Sequence, residues 1–568
     1  MVMVESLGLE NGAIMKRRVM GSKRAKMLLR IAVALLVAAG LWGVLTAAPL
    51  AAGPSRVDVV GLTGITGGGN NVAFAYDRFL LVAPYAPTAE ISDDDSFSKL
   101  DNHYLYLIDS KKPNETPKTI DLTTLRGETV YYPSRVVFDP DTSRVYVRGT
   151  RYEQTPDGVE EIEVIAYVYI NLDDNGKPFF NSNVVVIDIK GIASEHCGDA
   201  PLDFALGRNG NQLVFTNGAS IFTYNVGEGY IYEVDIVPPT EYSEDSRISY
   251  LDVDHSTNVL TVCWNRKTKN KDDRLVTTSE LSFYILEEKG ALTLFKRAYP
   301  EQFPVNDYLP VGSNVAISSS VDKAEPDSAF FVTSNGSLCE VDLNGEGVPQ
   351  PVKALDTFPE LAQKAEGASS PRLIRYDASR RVVTIVEQGF TAQIRRPAQG
   401  RPGHRGGIVR SLNAHILVDQ PAMVLARLNK RNKVVDSALF TKEFANEGGL
   451  SNFVVTADKQ LMLSTYSGNL FAVNIADEIG KSAITSLGNI GSRVDKVEFF
   501  TARSSLVAIS SVETDETGEQ ITSPGSLVIA RFSDVSAQAG SFLQAALPGA
   551  SLVGAPAPSI RRPCNIKN

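Results

Sequence analysis

A basic, glycine-rich segment interrupts an otherwise acidic chain at residues 393–410. The segment contains no Asp or Glu, and its glycines are typical of a flexible loop. Guanidinium groups on such a loop attract anions, so we predict that it binds an anionic partner. A solvated insertion without a binding role is the alternative. The predicted binding residues are Arg395, Arg396, Arg401, His404, Arg405 and Arg410.

The four cysteines offer little redox chemistry, because none belongs to a Cys-x-x-Cys pair. Cys263 and Cys339 lie among strand-forming residues, and we predict that both are buried free thiols. Cys564 lies near the end of the chain and Cys197 follows His196 directly. An exported protein would permit disulfides, and their pairing stays open.

The five histidines are scattered, without the short local spacing of zinc ligands, so no metal site is predicted. Two acidic turns, at residues 93–95 and 173–176, carry the oxygen ligands that Ca²⁺ prefers. Neither completes a calcium-binding loop, so no cofactor is identified and Ca²⁺ has no supporting motif. The sequence also contains neither a nucleophile elbow nor a phosphate-binding glycine loop, and catalytic residues stay unknown.

The N-terminus has the three parts of an export signal. Basic residues between 16 and 30 precede an uncharged apolar stretch at 31–50, and small residues follow up to Ala52. We predict that residues 1–52 are a signal peptide, with an uncleaved membrane anchor at 31–50 as the alternative. Either way the remainder is exported, to the periplasm, the cell surface or the medium.

The formal net charge of the chain is −10, and the predicted signal carries an excess of bases. The remainder is therefore more acidic than the whole chain, which argues against a nucleic-acid partner. A membrane contact is expected only through residues 31–50, if the signal is not cleaved.

The rest of the chain is built from short β-segments separated by turn residues. In the clearest copies, two apolar strands flank a polar turn, which is the pattern of a β-hairpin. These copies lie at residues 136–147, 253–262, 376–385, 455–463 and 500–509. With weaker copies included, units begin near residues 72, 134, 202, 247, 311, 371, 452 and 494. A single four-stranded sheet cannot bury both of its faces, and radial stacking of such units solves that problem.

The repeats resemble the exported bacterial β-propeller proteins of the WD-like and YVTN-like superfamily over residues 56–536. The chain lacks the Trp-Asp and Tyr-Val-Thr-Asn signatures of the sharper subfamilies. The resemblance implies an all-β propeller, and the repeat units give it seven or eight four-stranded blades. By its composition, an Ala/Gly/Pro-rich tail follows at 537–568. A pair of β-sandwiches is the competing fold, with stricter spacing than these repeats show.

The function that we expect is a protein- or ligand-binding scaffold at the cell envelope, with a protein or an anionic envelope ligand as its partner. The alternative is a lactonase-like hydrolase centred on the channel of the ring, because fold alone does not choose between binding and catalysis. The missing catalytic motifs favour the scaffold over the enzyme.

Overall fold

The computed structural model describes most of residues 57–532, and its longest gaps are 85–102, 188–202, 235–246 and 398–408. The chain divides into the units Met1–Ser55 and Arg56–Asn568, and every described residue belongs to the second. Residues 1–52 and 537–568, to which the signal or anchor and the tail are assigned, lie outside the described residues.

The described ranges form eight antiparallel sheets of four or more strands. We number the sheets in chain order. Sheet 1 consists of Gly69–Ala75, Phe79–Pro84, Tyr104–Asp109 and Lys118–Asp121; sheet 2 of Tyr131–Asp139, Arg144–Thr155, Gly158–Leu172 and Val185–Ile187, with Pro178–Phe180 paired to its third strand; sheet 3 of Asp203–Leu206, Gln212–Thr216, Ile221–Asn225 and Tyr230–Val234; and sheet 4 of Arg247–Asp254, Val259–Lys269, Leu275–Leu286 and Leu292–Ala298.

The second half of the chain repeats this arrangement. Sheet 5 consists of Ala316–Ser319, Pro326–Val332, Ser337–Asp342 and Val352–Thr357; sheet 6 of Arg372–Asp377, Val382–Glu387, Met423–Leu428 and Val434–Phe440; sheet 7 of Leu450–Val455, Gln460–Thr465, Asn469–Asn474 and Ala483–Asn489; and sheet 8 of Lys496–Phe500, Ser505–Ser510, Ser526–Phe532 and Val57–Gly61. Short 3₁₀ helices occur at Pro300–Gln302, Pro359–Leu361, Lys442–Phe444 and Ile479–Lys481.

The all-β fold is confirmed, and within the described ranges the first strands begin within five residues of the eight predicted unit starts. All five clear hairpins are the first and second strands of their sheets. In three of them the turn begins with Asp139, Asp254 or Asp377, paired with the residue five positions later. Arg144 opens the second strand of sheet 2 directly after the Asp139 turn.

Consecutive sheets pack face to face through apolar layers. Tyr146 and Phe204 share the layer between sheets 2 and 3, and Phe283 and Phe331 share the layer between sheets 4 and 5. Equivalent layers join sheets 1 and 2, 3 and 4, 5 and 6, and 6 and 7. Sheet 7 contacts sheet 8 through their first strands, and sheet 8 shares a layer with sheet 1. The sheets therefore form a closed ring.

First strands lie at the centre of this ring and fourth strands lie at its rim. The first strands of sheets 1 and 2, 3 and 4, 5 and 6, 7 and 8, and 8 and 1 contact each other. In the fourth strand Val434–Phe440, partly buried and exposed residues alternate, and Ala483–Asn489 is mostly exposed. This alternation is the pattern of strands with one face toward water.

The ring has two ends, which carry different strand connections. At one end, which we call the 1–2 end, the first strands turn into the second strands. The turns of sheets 1 and 2 meet there, since the Tyr76 hydroxyl donates to Ser143 Oγ at 2.7 Å. The turn of sheet 3 joins them, because Gly210 lies so close to Asp139 that a Cβ would not fit. The opposite end, which we call the 2–3 end, carries the connections from second to third strands.

Candidate functional site

The predicted basic segment lies on a β-hairpin inserted into sheet 6. Its strands, Phe390–Pro397 and Val409–Ile416, form a separate two-stranded sheet between the second and third strands of sheet 6. The ladder runs from Phe390 opposite Ile416 to Pro397 opposite Val409. Because the hairpin replaces a 2–3 turn, it belongs to the 2–3 end of the ring.

The hairpin brings three predicted binding residues to its far end. Arg396 stands directly opposite Arg410, and Arg395 stands opposite Ser411. Two like charges at paired positions of a ladder repel each other and destabilise the pairing. This end of the hairpin is therefore a place where a bound anion would relieve a repulsion that the fold creates.

The other predicted residues, Arg401, His404 and Arg405, lie in 398–408 and outside the described residues. The sequence places them in the connection between Pro397 and Val409. The assignment of all six residues to one anion-binding site stays a prediction.

A second polar group lies at the centre of the ring, and sequence reasoning missed it. Arg135, Phe204 and Asp252 lie on the first strands of sheets 2, 3 and 4. The Arg135 guanidinium lies over the Phe204 ring, 4.7 Å from its centroid, which is cation–π geometry. The charge of Arg135 acts on Asp252, so three successive first strands contribute to one cluster. We call Arg135, Phe204, Tyr250 and Asp252 the axial cluster.

Burial controls the protonation of the axial cluster. It raises the pKa of Asp252 to about 7, and the positive charge of Arg135 offsets part of that rise. Burial also lowers the pKa of Arg135 to about 10 and holds the pKa of Tyr250 well above its usual range. The Tyr250 hydroxyl lies 3.4 Å from Asp252 Oδ2. The cluster thus holds a cation beside a carboxyl group whose protonated form is favoured by burial.

The signal that could have found this cluster is a charge inside a first strand. Arg135 and Asp252 interrupt otherwise apolar or hydroxyl-bearing segments of the hairpin repeats. Their approach depends on the ring, which brings the first strands of sheets 2 and 4, more than a hundred residues apart in the chain, toward the same axis.

The buried-thiol prediction is confirmed, since Cys263 and Cys339 are both buried and free. Burial raises the pKa of the Cys263 thiol to about 12. Cys197 and Cys564 lie outside the described residues.

The predicted acidic turn at 173–176 is a hydrogen-bonded turn, in which Asp173 Oδ1 accepts the backbone N–H groups of Asn175 and Lys177. The other acidic turn, at 93–95, lies outside the described residues. No group of three or more His, Cys, Asp or Glu residues that could hold a metal ion occurs within the described ranges. The part of the chain that the structure describes also has no helix with the length and apolar character needed to cross a membrane.

A closed ring of four-stranded antiparallel sheets, with the first strands at its centre and the fourth strands at its rim, defines a β-propeller. This chain is a β-propeller. The eight sheets of the described ranges agree with the upper of the two predicted blade numbers, and the blade number of the whole protein stays a prediction.

No protein-family model matches the chain, and no curated protein matches it. Among solved structures it is similar to the Dos1 propeller, at 10% identity and a TM-score of 0.45, covering 84% of this chain and 94% of that one. It is also similar to YCF48 from Cyanidioschyzon merolae, at 12% identity and a TM-score of 0.33, covering 84% and 98%. A Bacteroides uniformis structure named as a 6-phosphogluconolactonase matches at 11% identity and a TM-score of 0.34, covering 73% and 97%.

Proposed function

We propose that this β-propeller is a binding scaffold that captures an anionic partner at the end of the inserted hairpin. The observation that carries the proposal is the placement of Arg396 directly opposite Arg410. An anion between two paired cations removes their repulsion and gains charge-assisted hydrogen bonds. Arg395 on the same strand adds a third positive charge at that end of the hairpin.

We also propose that the chain is exported and acts at the cell envelope, where anionic polysaccharides, lipid headgroups and acidic proteins are available. The order of basic, apolar and small residues in 1–52 supports export. Cell fractionation with N-terminal sequencing tests this part of the proposal. A mature chain that begins after Ala52 and is found outside the cytoplasm is the expected result, and full-length cytoplasmic protein would contradict it.

The binding proposal is tested by retention on an immobilised sulfated polysaccharide. A variant with Arg395→Gln, Arg396→Gln, Arg401→Gln and Arg405→Gln should elute at distinctly lower salt, because fewer cations displace counterions from the matrix. The matched control neutralises Lys430, Arg431 and Lys433, three basic residues in the 3–4 turn of the same sheet, at the opposite end. Unchanged retention of the first variant would refute the proposal.

A single substitution distinguishes a loss of anion binding from a loss of hairpin stability. Arg410→Glu places an opposite charge across from Arg396, so the ladder should gain stability while the anion site loses a cation. Reduced retention together with an unchanged or higher melting temperature is the expected result. Retention equal to that of the unmodified protein would show that this end of the hairpin does not hold the anion.

The second candidate function is hydrolysis at the axial cluster. It is favoured by the pKa of about 7 for Asp252, which suits a general acid or base at neutral pH. If the cluster hydrolyses lactones, Asp252→Asn should abolish turnover, while Arg410→Glu, which weakens only polysaccharide binding, should keep it. Absence of turnover by the unmodified protein across a panel of lactones would eliminate this candidate.

A further inference from the structure

Aromatic side chains gather at the 2–3 end between sheets 1 and 2. Tyr131 opens the first strand of sheet 2, and its ring centroid lies 6.0 Å from that of His103 and 5.6 Å from that of Tyr152. The ring of Tyr132 lies 6.4 Å from that of Tyr131, and the ring of Tyr104 lies 6.1 Å from that of His103. We call these five residues the aromatic platform. All five are partly exposed, whereas most phenylalanines of the layers between sheets are buried.

The backbone beneath the platform is strained. The first strand of sheet 2 carries a bulge, since its register shifts between Tyr131 and Arg135. Within the bulge Tyr132 has a φ of 51°, a conformation that bulky side chains rarely adopt. Gly149 faces the bulge, and a Cβ there would lie 2.7 Å from the Tyr131 carbonyl oxygen, so glycine is required for the two strands to approach this closely. Bulges and strained residues of this kind orient side chains at functional sites, because strain persists only where the surroundings enforce it.

Hydrogen-bonding groups border the platform. Arg151, beside Tyr152, makes ion pairs with Glu128 at 3.4 Å and with Glu153. The side chain of Asp121 is 69% exposed and lies 3.9 Å from the His103 imidazole. The segments 121–132 and 151–153 together carry three acids and two bases. The border therefore offers donors and acceptors without a large surplus of either charge.

We propose that the aromatic platform binds a neutral saccharide. A pyranose has apolar C–H faces and a rim of hydroxyl groups, so its faces pack on tyrosine rings while its hydroxyls bond to the carboxylates and the guanidinium at the border. Tyrosine provides such contact area at a low cost in conformational entropy. The proposal goes beyond the proposed function, because the platform lies on sheets 1 and 2 and the basic hairpin is inserted in sheet 6.

The bordering groups favour a saccharide over a proline-rich peptide, the other ligand that aromatic surfaces commonly bind. Carboxylates only accept hydrogen bonds, and prolines have no backbone N–H to donate. Saccharide hydroxyls both donate and accept, so they suit Asp121 and Glu128 as well as Arg151.

Affinity electrophoresis of the full chain tests the proposal, in native gels that contain hydroxyethyl cellulose, galactomannan or dextran as the neutral polysaccharide. Retardation in at least one gel is expected. Tyr152→Ala should raise the dissociation constant about fivefold, the effect of losing one stacking contact, and Tyr152→Phe should keep most of the affinity because it keeps the ring. Tyr299→Ala is the matched control, since Tyr299 is a partly exposed tyrosine that follows the fourth strand of sheet 4.

Tyr132→Gly separates binding from stability. Glycine relieves the strain at positive φ and removes the ring, so weaker retardation without a fall in melting temperature is expected. Arg410→Glu should leave retardation by neutral polysaccharides unchanged, which separates the platform from the proposed anion site on the sheet 6 hairpin.

Absence of retardation in all three gels would overturn the proposal. Retardation that Tyr152→Ala and Tyr132→Gly both leave unchanged, or that Tyr299→Ala weakens equally, would place the saccharide elsewhere and would overturn it as well. Binding of a decaproline peptide that depends on Tyr152, without retardation by any polysaccharide, would assign the platform to a peptide instead.

Discussion

At the scale of single residues, burial shifts the pKa values of several ionisable side chains. Glu280, on the third strand of sheet 4, is only 2% exposed and lies 3.2 Å from the Arg297 guanidinium through Oε1. Burial raises its pKa to about 7, although the charges of Arg297 and Arg266 act in the opposite direction. The carboxylate form is therefore less favourable in the folded protein than in the unfolded chain.

This pKa predicts a pH dependence of stability. A carboxyl group whose pKa is higher in the folded state contributes stability below its unfolded pKa, and that contribution is lost as the pH rises toward 7. Glu280→Gln should make the free energy of unfolding less dependent on pH between about 4.5 and 7, by at most about 1.4 kcal/mol per pH unit. Urea denaturation across this pH range measures the slope. An unchanged slope in Glu280→Gln would contradict the prediction.

The buried thiols predict a labelling pattern. Cys263 and Cys339 are completely buried, and burial raises both thiol pKa values, so neither forms the reactive thiolate at pH 8. Peptide mapping after iodoacetamide treatment should show both residues modified only when urea is present. Rapid modification of either cysteine in the folded protein would contradict the burial.

At the scale of elements, the fold depends on one type of turn at the 1–2 end. The turns that begin with Asp139, Asp254 and Asp377 each end in a residue with positive φ: Ser143, Asn258 and Arg381. In two of them the Asp carboxylate accepts hydrogen bonds from a following Ser, at 2.6 Å for Ser256 and 2.7 Å for Ser379. Asn adopts positive φ more readily than other side-chain-bearing residues, which suits position 258.

Asn258 provides a test of this turn. Its φ is 57°, and its side-chain amide donates to the carbonyl of Leu286, the last residue of the third strand of the same sheet. Asn258→Ala should lower the free energy of unfolding by about 1–3 kcal/mol, from backbone strain and a lost hydrogen bond. Asn258→Gly should cost less, because glycine keeps the backbone conformation and loses only the side-chain bond. Equal stability of the alanine variant and the unmodified protein in thermal denaturation would argue against this role.

At the scale of the whole molecule, the first strand of the chain closes the ring. Val57–Gly61 pairs with Ser526–Phe532, from Val57 opposite Phe532 to Gly61 opposite Val528. Sheet 8 therefore combines three strands from the end of the domain with one from its beginning. The pairing covers the third strand of sheet 8, which would otherwise be an exposed sheet edge.

Ring closure predicts the effect of a short deletion. A chain that begins at Thr63 lacks the closing strand and should lose about 3–5 kcal/mol of unfolding free energy, from several ladder hydrogen bonds at about 1 kcal/mol each. A chain that begins at Arg56 keeps the strand and serves as the control. Urea denaturation of both chains measures the difference. Equal midpoints would show that the strand contributes little to the ring.

The sequence alone determined the local architecture. Alternation of apolar and polar residues around Asp-led turns predicted all five clear hairpins, and the spacing of the repeats predicted where eight units begin. It also singled out the basic insertion, because five Arg without an acid stand apart in an acidic chain. Hairpins and charge runs are local properties, so they can be read from consecutive residues.

Only the tertiary structure decided which distant residues meet. The pairing of Val57–Gly61 with Ser526–Phe532 joins segments from opposite ends of the domain, and no local pattern records it. The axial cluster likewise needs a closed ring before Arg135 acts on Asp252. These features arise from long-range packing, whose partners are set by the buried layers between sheets and not by neighbours in the chain.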